Sequence, residues 1–204
     1  MADPNLPLRI IPLGGVGEIG KNCYVFEYGD DIVVIDCGLM FPDEEMFGID
    51  LVVPDVTYLK ENRHKVRAFL ITHAHEDHVG GLPYVRPEFP GIPVYASTLA
   101  RGLLGNKIKE HKLHNNPLIA MEPGDELEIG PFTAVPFRIG HSIPDAMGIA
   151  LRTPVGIVVH TGDFKFDHTP VDGKLSDFAI LAKLGEEGVA CLLSDSTRAE
   201  NPGY

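Results

Sequence analysis

Apolar and polar positions alternate along most of this chain in short runs, a pattern typical of β-strands. The alternation and the β-branched residues predict strands at 8–13, 23–28, 32–36, 66–72, 93–96, 126–129, 132–139, 148–153, 156–160 and 189–193. Apolar positions at helical spacing predict helices at 55–63, 97–111 and 177–185, with Asp55 and Ser97 as caps for the first two. Strands and helices in this order predict one layered α/β domain.

A glycine-rich segment after the first strand contains G-x-G-x-x-G at Gly15, Gly17 and Gly20. In a dinucleotide-binding fold, a helix begins at the last of these glycines. Here the residues that follow, 23–28 and 32–36, are aromatic and β-branched around a turn, which predicts a hairpin. A nicotinamide cofactor is therefore not expected, and the glycines more simply let a loop pass close to a site or to another strand.

Composition and charge exclude some classes of protein. The chain has 204 residues, of which 44% are hydrophobic and 23% charged, which argues against disorder. Its formal charge is 17 − 29 = −12, which argues against a protein that grips nucleic acid through a general basic surface. A polyanionic substrate would have to be attracted locally, by bound cations and a few lysines and arginines.

The cysteines and the first residues indicate the compartment. Cys23, Cys37 and Cys191 are widely spaced and form no C-x-x-C pair, which suits buried thiols in a reducing environment. The first five residues contain no basic or apolar signal region, and no apolar run reaches membrane-spanning length. The sequence predicts a cytoplasmic protein that does not enter a membrane.

Three histidines and an aspartate, His73, His75, Asp77 and His78, directly follow the strand predicted at 66–72. In an extended segment, His73, His75 and Asp77 would project to one side, because alternate residues of a strand share a face. His78 breaks the alternation and could reach a second ion. Imidazole nitrogens and carboxylate oxygens are ligands that zinc accepts, and an open coordination position makes such a site catalytic.

Three further polar residues, Asp36, His141 and Asp163, also follow predicted strands. Taken alone, Asp36 is better explained as a residue that caps a turn. Together with the histidine cluster at 73–78, however, the three residues return to one edge of a layered sheet, the arrangement that builds a two-metal site.

This layout resembles the metallo-β-lactamase superfamily, and its motifs resemble those of the ribonuclease J family in the β-CASP branch. The motifs are LGGVGEIGKN at 13–22, THAHEDHVGGLPY at 72–84, HSIPD at 141–145, HTGDFKFD at 160–167 and LSDST at 193–197. The resemblance covers essentially the whole chain. It implies an α/β (α+β) fold, the αβ/βα four-layer sandwich, incomplete at the C-terminus. Residues 1–204 would be the N-terminal segment of that domain, without the β-CASP domain and the segment that returns after it.

The resemblance also implies two divalent metal ions, zinc or alternatively manganese. The ligands of one zinc would be His73, His75 and His141. Those of the other would be Asp77 and His78, with Asp163 as the bridge. Asp36 would orient the cluster by hydrogen bonding, Asp77 would act in catalysis, and Asp195 would support catalysis beside the site.

The implied activity is hydrolysis of RNA phosphodiester bonds in RNA processing and decay, as an exonuclease or endonuclease. The implied partner is single-stranded RNA with a 5′ monophosphate, and the full-length protein is expected to be a homo-oligomer. In this family the returning segment supplies a final histidine on the second metal and residues that hold the RNA 5′ end. We therefore expect the 204-residue chain to bind metal but to cleave RNA weakly or not at all, and to expose an apolar sheet edge that invites association.

Two other functions share the same motif or fold. One is a hydrolase of a thioester, lactone or β-lactam, which would use the same H-x-H-x-D-H ligands. The other is a domain whose incomplete site serves assembly only. Metal content separates the second from an enzyme, since a catalytic domain should carry one to two equivalents per chain and an inert one close to none.

Overall fold

The computed structural model of the chain describes residues 6–113, 117–197 and 199–202. Its strands are β1 (Leu8–Gly14), β2 (Cys23–Tyr28), β3 (Asp31–Ile35), β4 (Val66–Leu70), β5 (Val94–Ala96), β6 (Leu118–Ala120), β7 (Leu127–Ile129), β8 (Phe132–Arg138), β9 (Met147–Thr153), β10 (Gly156–His160) and β11 (Val189–Leu193). Its helices are α1 (Thr57–Glu61), α2 (Glu76–Val79), α3 (Leu82–Val85), α4 (Thr98–Glu110) and α5 (Phe178–Glu187). Arg63–Lys65 and Arg86–Glu88 are single turns of 3₁₀ helix.

The strands form two sheets. One has six strands in the order β1-β2-β3-β4-β5-β6, and the other has five in the order β11-β10-β9-β8-β7. In the first sheet β2 and β3 form the predicted hairpin, and β3 to β6 are parallel. In the second sheet only the β10–β11 pair is parallel. The hairpin replaces the helix that a dinucleotide-binding fold requires after its glycines.

A shared apolar core joins the two sheets face to face. Phe26, Ile35 and Leu70 of the first sheet are fully buried beside Phe132 and Leu151 of the second. Burying a side chain of this size contributes about 1.5–3 kcal/mol relative to leaving it exposed. This inner core therefore fixes the distance between the sheets and brings their edges together.

Helices cover the outer faces of both sheets. Leu59 of α1, Val85 of α3 and Leu104 of α4 pack on the outer face of the first sheet. Leu184 of α5 packs on the outer face of the second. The predicted αβ/βα arrangement of layers is confirmed.

The predicted and observed elements differ in the shortest segments. β6 was not predicted, because its short apolar run directly follows Pro117 and shows no alternation of apolar and polar residues. α2 and α3 were not predicted either, because four-residue helices carry too little periodicity to be recognised. Among the described residues, no helix is both long enough and apolar enough to cross a membrane.

The edge strand β11 carries exposed apolar side chains. Leu192 is 61% exposed and Val189 is 37% exposed. Among the named strands of the described chain, β11 pairs only with β10, so one of its backbone edges is open. The expectation that this edge promotes association stays a prediction.

Candidate metal centre

The polar residues predicted at strand ends all lie at one edge of the molecule. Asp36 follows β3, and the histidine cluster follows β4, its parallel neighbour. His141 follows β8 and Asp163 follows β10, and these two strands run in the same direction because β9 is antiparallel to both. The backbone N–H of Met147 donates to the carbonyl of Thr72 at 3.0 Å and joins the two sheets at this edge.

Three imidazoles form what we name the three-histidine group, His73, His75 and His141. His75 Nδ1 lies 3.0 Å from His73 Nε2 and 3.2 Å from His141 Nε2. Three ring nitrogens this close need a proton or a cation between them, because their lone pairs would otherwise repel. Imidazole nitrogens are preferred zinc ligands, so the donor set fits a divalent metal.

Asp77, His78 and Asp163 form what we name the mixed group. His78 Nε2 lies 3.3 Å from Asp163 Oδ1 and 3.5 Å from Asp77 Oδ2. The other carboxylate oxygen of Asp163 lies 3.7 Å from His141 Nε2. The two oxygens of Asp163 therefore face the two groups, which is the geometry that a bridging carboxylate needs.

Two sets of ligand atoms in the described chain lie close enough for a single ion. Those of His73, His75 and His141 all lie within 4.8 Å of one another, and so do those of His73, His78 and Asp163. Asp77 is absent from the second set and approaches only through its contact with His78.

The local backbone around Asp77 corrects the expectation of an extended segment. β4 ends at Leu70, and α2 begins at Glu76, so Asp77 does not share a strand face with His73 and His75. The N–H groups of His78 and Val79 both donate to the carbonyl of His75, which precedes the helix. The helical turn, not strand alternation, therefore directs Asp77 and His78 towards Asp163.

Asp36 is fully buried behind both groups and lies in the left-handed region at φ 60°. One of its oxygens lies 2.7 Å from His78 Nδ1 and accepts a hydrogen bond from the Thr72 hydroxyl at 2.8 Å. The Thr72 oxygen in turn lies 3.0 Å from His73 Nδ1. If both Nδ1 atoms donate, the Nε2 lone pairs of His73 and His78 face the centre, as metal ligation requires.

Asn22, like Thr72, has a role that the sequence pattern did not predict. Its side-chain Nδ2 donates to the Asp77 carbonyl at 3.1 Å and lies 3.2 Å from His78 Nε2. Gly15 lies directly above it at φ 84°, where a Cβ would meet Asn22 Oδ1 at 2.3 Å and the Tyr24 hydroxyl at 2.9 Å. The loop can approach the centre this closely only because position 15 has no side chain.

The pKa values of the two groups differ in direction. Burial alone would lower the pKa of His78, but the Asp36 and Asp163 carboxylates outweigh it and raise the pKa to about 10. Burial and the charge of His78 lower the pKa of His73 to about 2, and burial also lowers that of His141. For Asp163, burial is outweighed by the hydrogen bond and charge of His78, and its pKa falls to about 2.

These pKa directions predict that metal binding to the two groups depends differently on pH. Above pH 6.5, His73 and His141 are already neutral, so an ion at the three-histidine group displaces no proton from them. His78 is protonated below about pH 10 and must release its proton before it can act as a ligand. We expect the affinity for the second ion to rise about tenfold per pH unit between pH 6.5 and 8.5, and the affinity for the first ion to change less over the same range.

Calorimetric titration with Zn²⁺ in buffers of different ionisation enthalpy measures this difference. The expected result is release of about one proton with the second equivalent only. Equal proton release for both equivalents would contradict the assignment of a charged His78.

Asp195 lies at the same edge, after β11. Its backbone N–H donates to Thr161 Oγ1 at 3.1 Å, and its Oδ1 accepts from the N–H of Thr197 at 2.8 Å. The carboxylate is half-buried, and its charge raises the pKa of His141 slightly against the stronger effect of burial. The structure therefore places Asp195 in a turn beside the centre.

A cleft of about 860 Å³ opens over the mixed group. Its walls are the glycine-rich loop at 15–20 and the residues at 193–197 and 199–201, and Asp77, His78 and Asp163 lie between them. Its acidic side chains are Glu18, Asp77, Asp163, Asp195 and Glu200. No lysine or arginine is among the described residues that line it.

Comparison with known sequences agrees with the motifs. A sequence profile of the metallo-beta-lactamase superfamily matches residues 16–193. Ribonuclease J of Thermus thermophilus is 50% identical over 98% of this chain and 36% of its own length. Ribonuclease J of Synechocystis is 48% identical over 96% of the chain and 31% of its length, and ribonuclease J2 of Bacillus subtilis is 44% identical over 97% and 36%. The chain thus spans about a third of the length of these relatives.

Solved structures show the same fold at low sequence identity. A protein of unknown function from Enterococcus faecalis V583 superposes with a TM-score of 0.72 at 18% identity, over 97% of this chain and 52% of its own. Unliganded yeast PDE1 superposes with a TM-score of 0.59 at 13% identity, over 86% of this chain and 69% of its own. At these identities the likeness supports the fold alone.

Proposed function

Because this chain belongs to the metallo-beta-lactamase superfamily, we propose that it forms the metal-binding part of a ribonuclease that hydrolyses RNA phosphodiester bonds. The similarity to ribonuclease J over nearly the whole chain supports RNA as the substrate. The observation that carries the proposal is the position of Asp163, whose two oxygens face His78 Nε2 at 3.3 Å and His141 Nε2 at 3.7 Å. A carboxylate in that position can serve two ions at once.

The proposed ligands are the three-histidine group for one ion and the mixed group for the other. Two divalent cations there would lower the pKa of a water molecule between them and neutralise charge that builds on the phosphoryl oxygens. Asp77 is 35% exposed at its side chain and can orient that water or accept its proton. Asp36 and Thr72 hold the imidazoles in place from behind.

The acidic side chains of the cleft support the proposal that RNA cleavage depends on bound metal cations. Its described walls carry carboxylates and no lysine or arginine, so a phosphodiester would be repelled without bound metal. We assign Asp195 a supporting role in this cleft, because its carboxylate lies within electrostatic reach of His141. Zinc is the proposed metal, because four of the six proposed ligands are histidines and zinc accepts imidazole nitrogen readily.

The finer assignments are part of the same proposal. Single-stranded RNA with a 5′ monophosphate is the proposed substrate, cleaved from an end or internally, and the full-length protein is proposed to be a homo-oligomer. The cytoplasm is the proposed location, which agrees with the free thiols of Cys23, Cys37 and Cys191. Weak cleavage by the 204-residue chain alone stays a prediction.

A single-turnover cleavage assay tests the function. The chain, in excess over a labelled single-stranded RNA, is incubated with Zn²⁺ or Mn²⁺ and with a chelator. We expect slow cleavage that requires metal and no comparable hydrolysis of nitrocefin or of a lactone. Hydrolysis of nitrocefin or the lactone with no metal-dependent cleavage of RNA would instead support the alternative hydrolase.

A further inference from the structure

A second groove, of about 300 Å³, lies on the other side of the metal centre. We name it the lysine groove. It is formed by His141 and the turn at 142–145 on one side and by the segment at 165–174 on the other. His141 contributes to both the groove and the three-histidine group, so the groove opens directly onto the centre.

The lysine groove differs from the acidic cleft in its charges. It is lined by three cations, Arg138, Lys165 and Lys174, and by three carboxylates, Asp145, Asp167 and Asp172. The cleft over the mixed group has five carboxylates and no described lysine or arginine. Among the residues that the structure describes, the lysine groove is therefore the one of these two that offers side-chain cations to a polyanion.

The backbone holds both lysines beside His141. The N–H of Lys165 donates to the carbonyl of Gly140 at 2.7 Å, and a Cβ at Gly140 would meet the Lys165 carbonyl at 2.9 Å. Lys174 Nζ lies 3.8 Å from Asp145 Oδ1, in the turn that follows His141. The two side chains are 56% and 54% exposed, so their ammonium groups remain accessible to a ligand.

We propose that the lysine groove binds the backbone of single-stranded RNA, with Lys165 and Lys174 contacting phosphates next to the one held at the metal centre. The inference rests on the proposed function and deepens it, because it gives the RNA a path across the centre. Each lysine is a mobile point charge and suits a phosphate that varies in position. Lys165 also pairs with Asp167 at 3.1 Å, so the carboxylate competes with phosphate for the same cation.

This competition gives a test in which two substitutions in one ion pair act in opposite directions. Lys165→Ala and Lys174→Ala remove a phosphate contact and should weaken RNA binding, each by roughly three- to tenfold. Asp167→Asn and Asp145→Asn release the lysines and should strengthen binding roughly twofold or more. Asparagine suits both positions. At position 167 its side-chain oxygen can accept the hydrogen bond from the N–H of Thr169, as Asp167 does. At position 145 it tolerates the left-handed φ of 59°.

The measurement is fluorescence anisotropy of a labelled 2′-O-methyl RNA with a 5′ monophosphate, bound by the Zn²⁺-loaded chain over a range of KCl concentrations. Each lysine variant should also lower the slope of log affinity against log salt by about 0.7. Lys183→Ala is the matched control, because this substitution removes the same charge from outside the lysine groove. Lys183 lies on α5, and its side chain is 74% exposed. The control substitution should leave both affinity and slope unchanged.

The outcomes separate the two proposals. RNA binding by the unaltered chain, with no change in any of the four variants, would overturn the lysine groove and leave the proposed function standing. Weaker RNA binding by both the lysine variant and the aspartate variant of one ion pair would also overturn the lysine groove. The ion pair would then support the local structure, and no phosphate contact would be needed to explain the effect. No RNA binding by the unaltered chain would overturn the groove, while the metal-dependent cleavage assay would still decide the proposed function.

Discussion

Asp77→Ala and His75→Ala are each expected to lower metal-dependent RNA cleavage by roughly a hundredfold or more. Each substitution removes a ligand from a different group. His75 provides the nitrogen that lies closest to the other two imidazoles, at 3.0 and 3.2 Å. Asp77 provides the slightly more exposed of the two carboxylates in the mixed group, at 35% against 30% for Asp163. Neither side chain belongs to the apolar core, so the fold should remain.

Metal content distinguishes the two variants. In a Co²⁺ titration monitored by absorption, each variant should bind one of the two ions weakly or not at all. The affected site should be the three-histidine group in His75→Ala and the mixed group in Asp77→Ala. Glu76→Ala is the matched control, since Glu76 lies between these residues but pairs with Lys107 at 2.6 Å. Cleavage at the unaltered rate in either ligand variant, with Glu76→Ala also unchanged, would exclude the two-metal mechanism.

Asp36→Asn is expected to weaken the binding of both metal ions by roughly 10- to 100-fold, although Asp36 is not itself a proposed ligand. Its carboxylate contacts His78 directly at 2.7 Å and reaches His73 through the Thr72 hydroxyl. An amide offers one oxygen and turns donor hydrogens towards the remaining partners. Because Asp36 is fully buried, removing its charge beside protonated His78 should also cost about 3 kcal/mol in the free energy of unfolding of the metal-free chain.

Thr72→Val separates the contact of Asp36 with His73, which passes through the Thr72 hydroxyl, from its direct contact with His78. Valine has a similar shape but cannot bond to Asp36 or His73, so the three-histidine group should weaken while the contact between Asp36 and His78 remains. Competition with a metal-binding dye, together with chemical unfolding, measures both effects. Equal metal affinities in the unaltered chain and in Asp36→Asn would contradict the orienting role.

The sequence allowed the members of the centre to be predicted because each follows a strand. Asp36, His141 and Asp163 are widely separated along the chain, but strands that run in one direction end at one edge. The spacing within 73–78 identified the ligand types. Strand periodicity also predicted every strand of more than three residues in one layered α/β domain, whereas the arrangement of these strands in two facing sheets was implied by the family resemblance.

Other parts of the centre depend on tertiary contacts that the sequence pattern does not encode. Asp77 is directed by the helical turn of α2, which is too short to be recognised. The roles of Thr72 and Asn22 arise from hydrogen bonds to residues 36 and 55 positions away. The lysine groove likewise exists only because the segment that holds Lys165 folds back onto Gly140.

Anomalous diffraction at the zinc edge, from crystals grown with zinc, tests the central claim most directly. Two peaks are expected, one contacted by His73, His75 and His141 and the other by Asp77 and His78, with Asp163 contacting both. A single peak elsewhere, or side chains that point away from one another around solvent, would contradict the two-metal centre and the chemistry proposed from it.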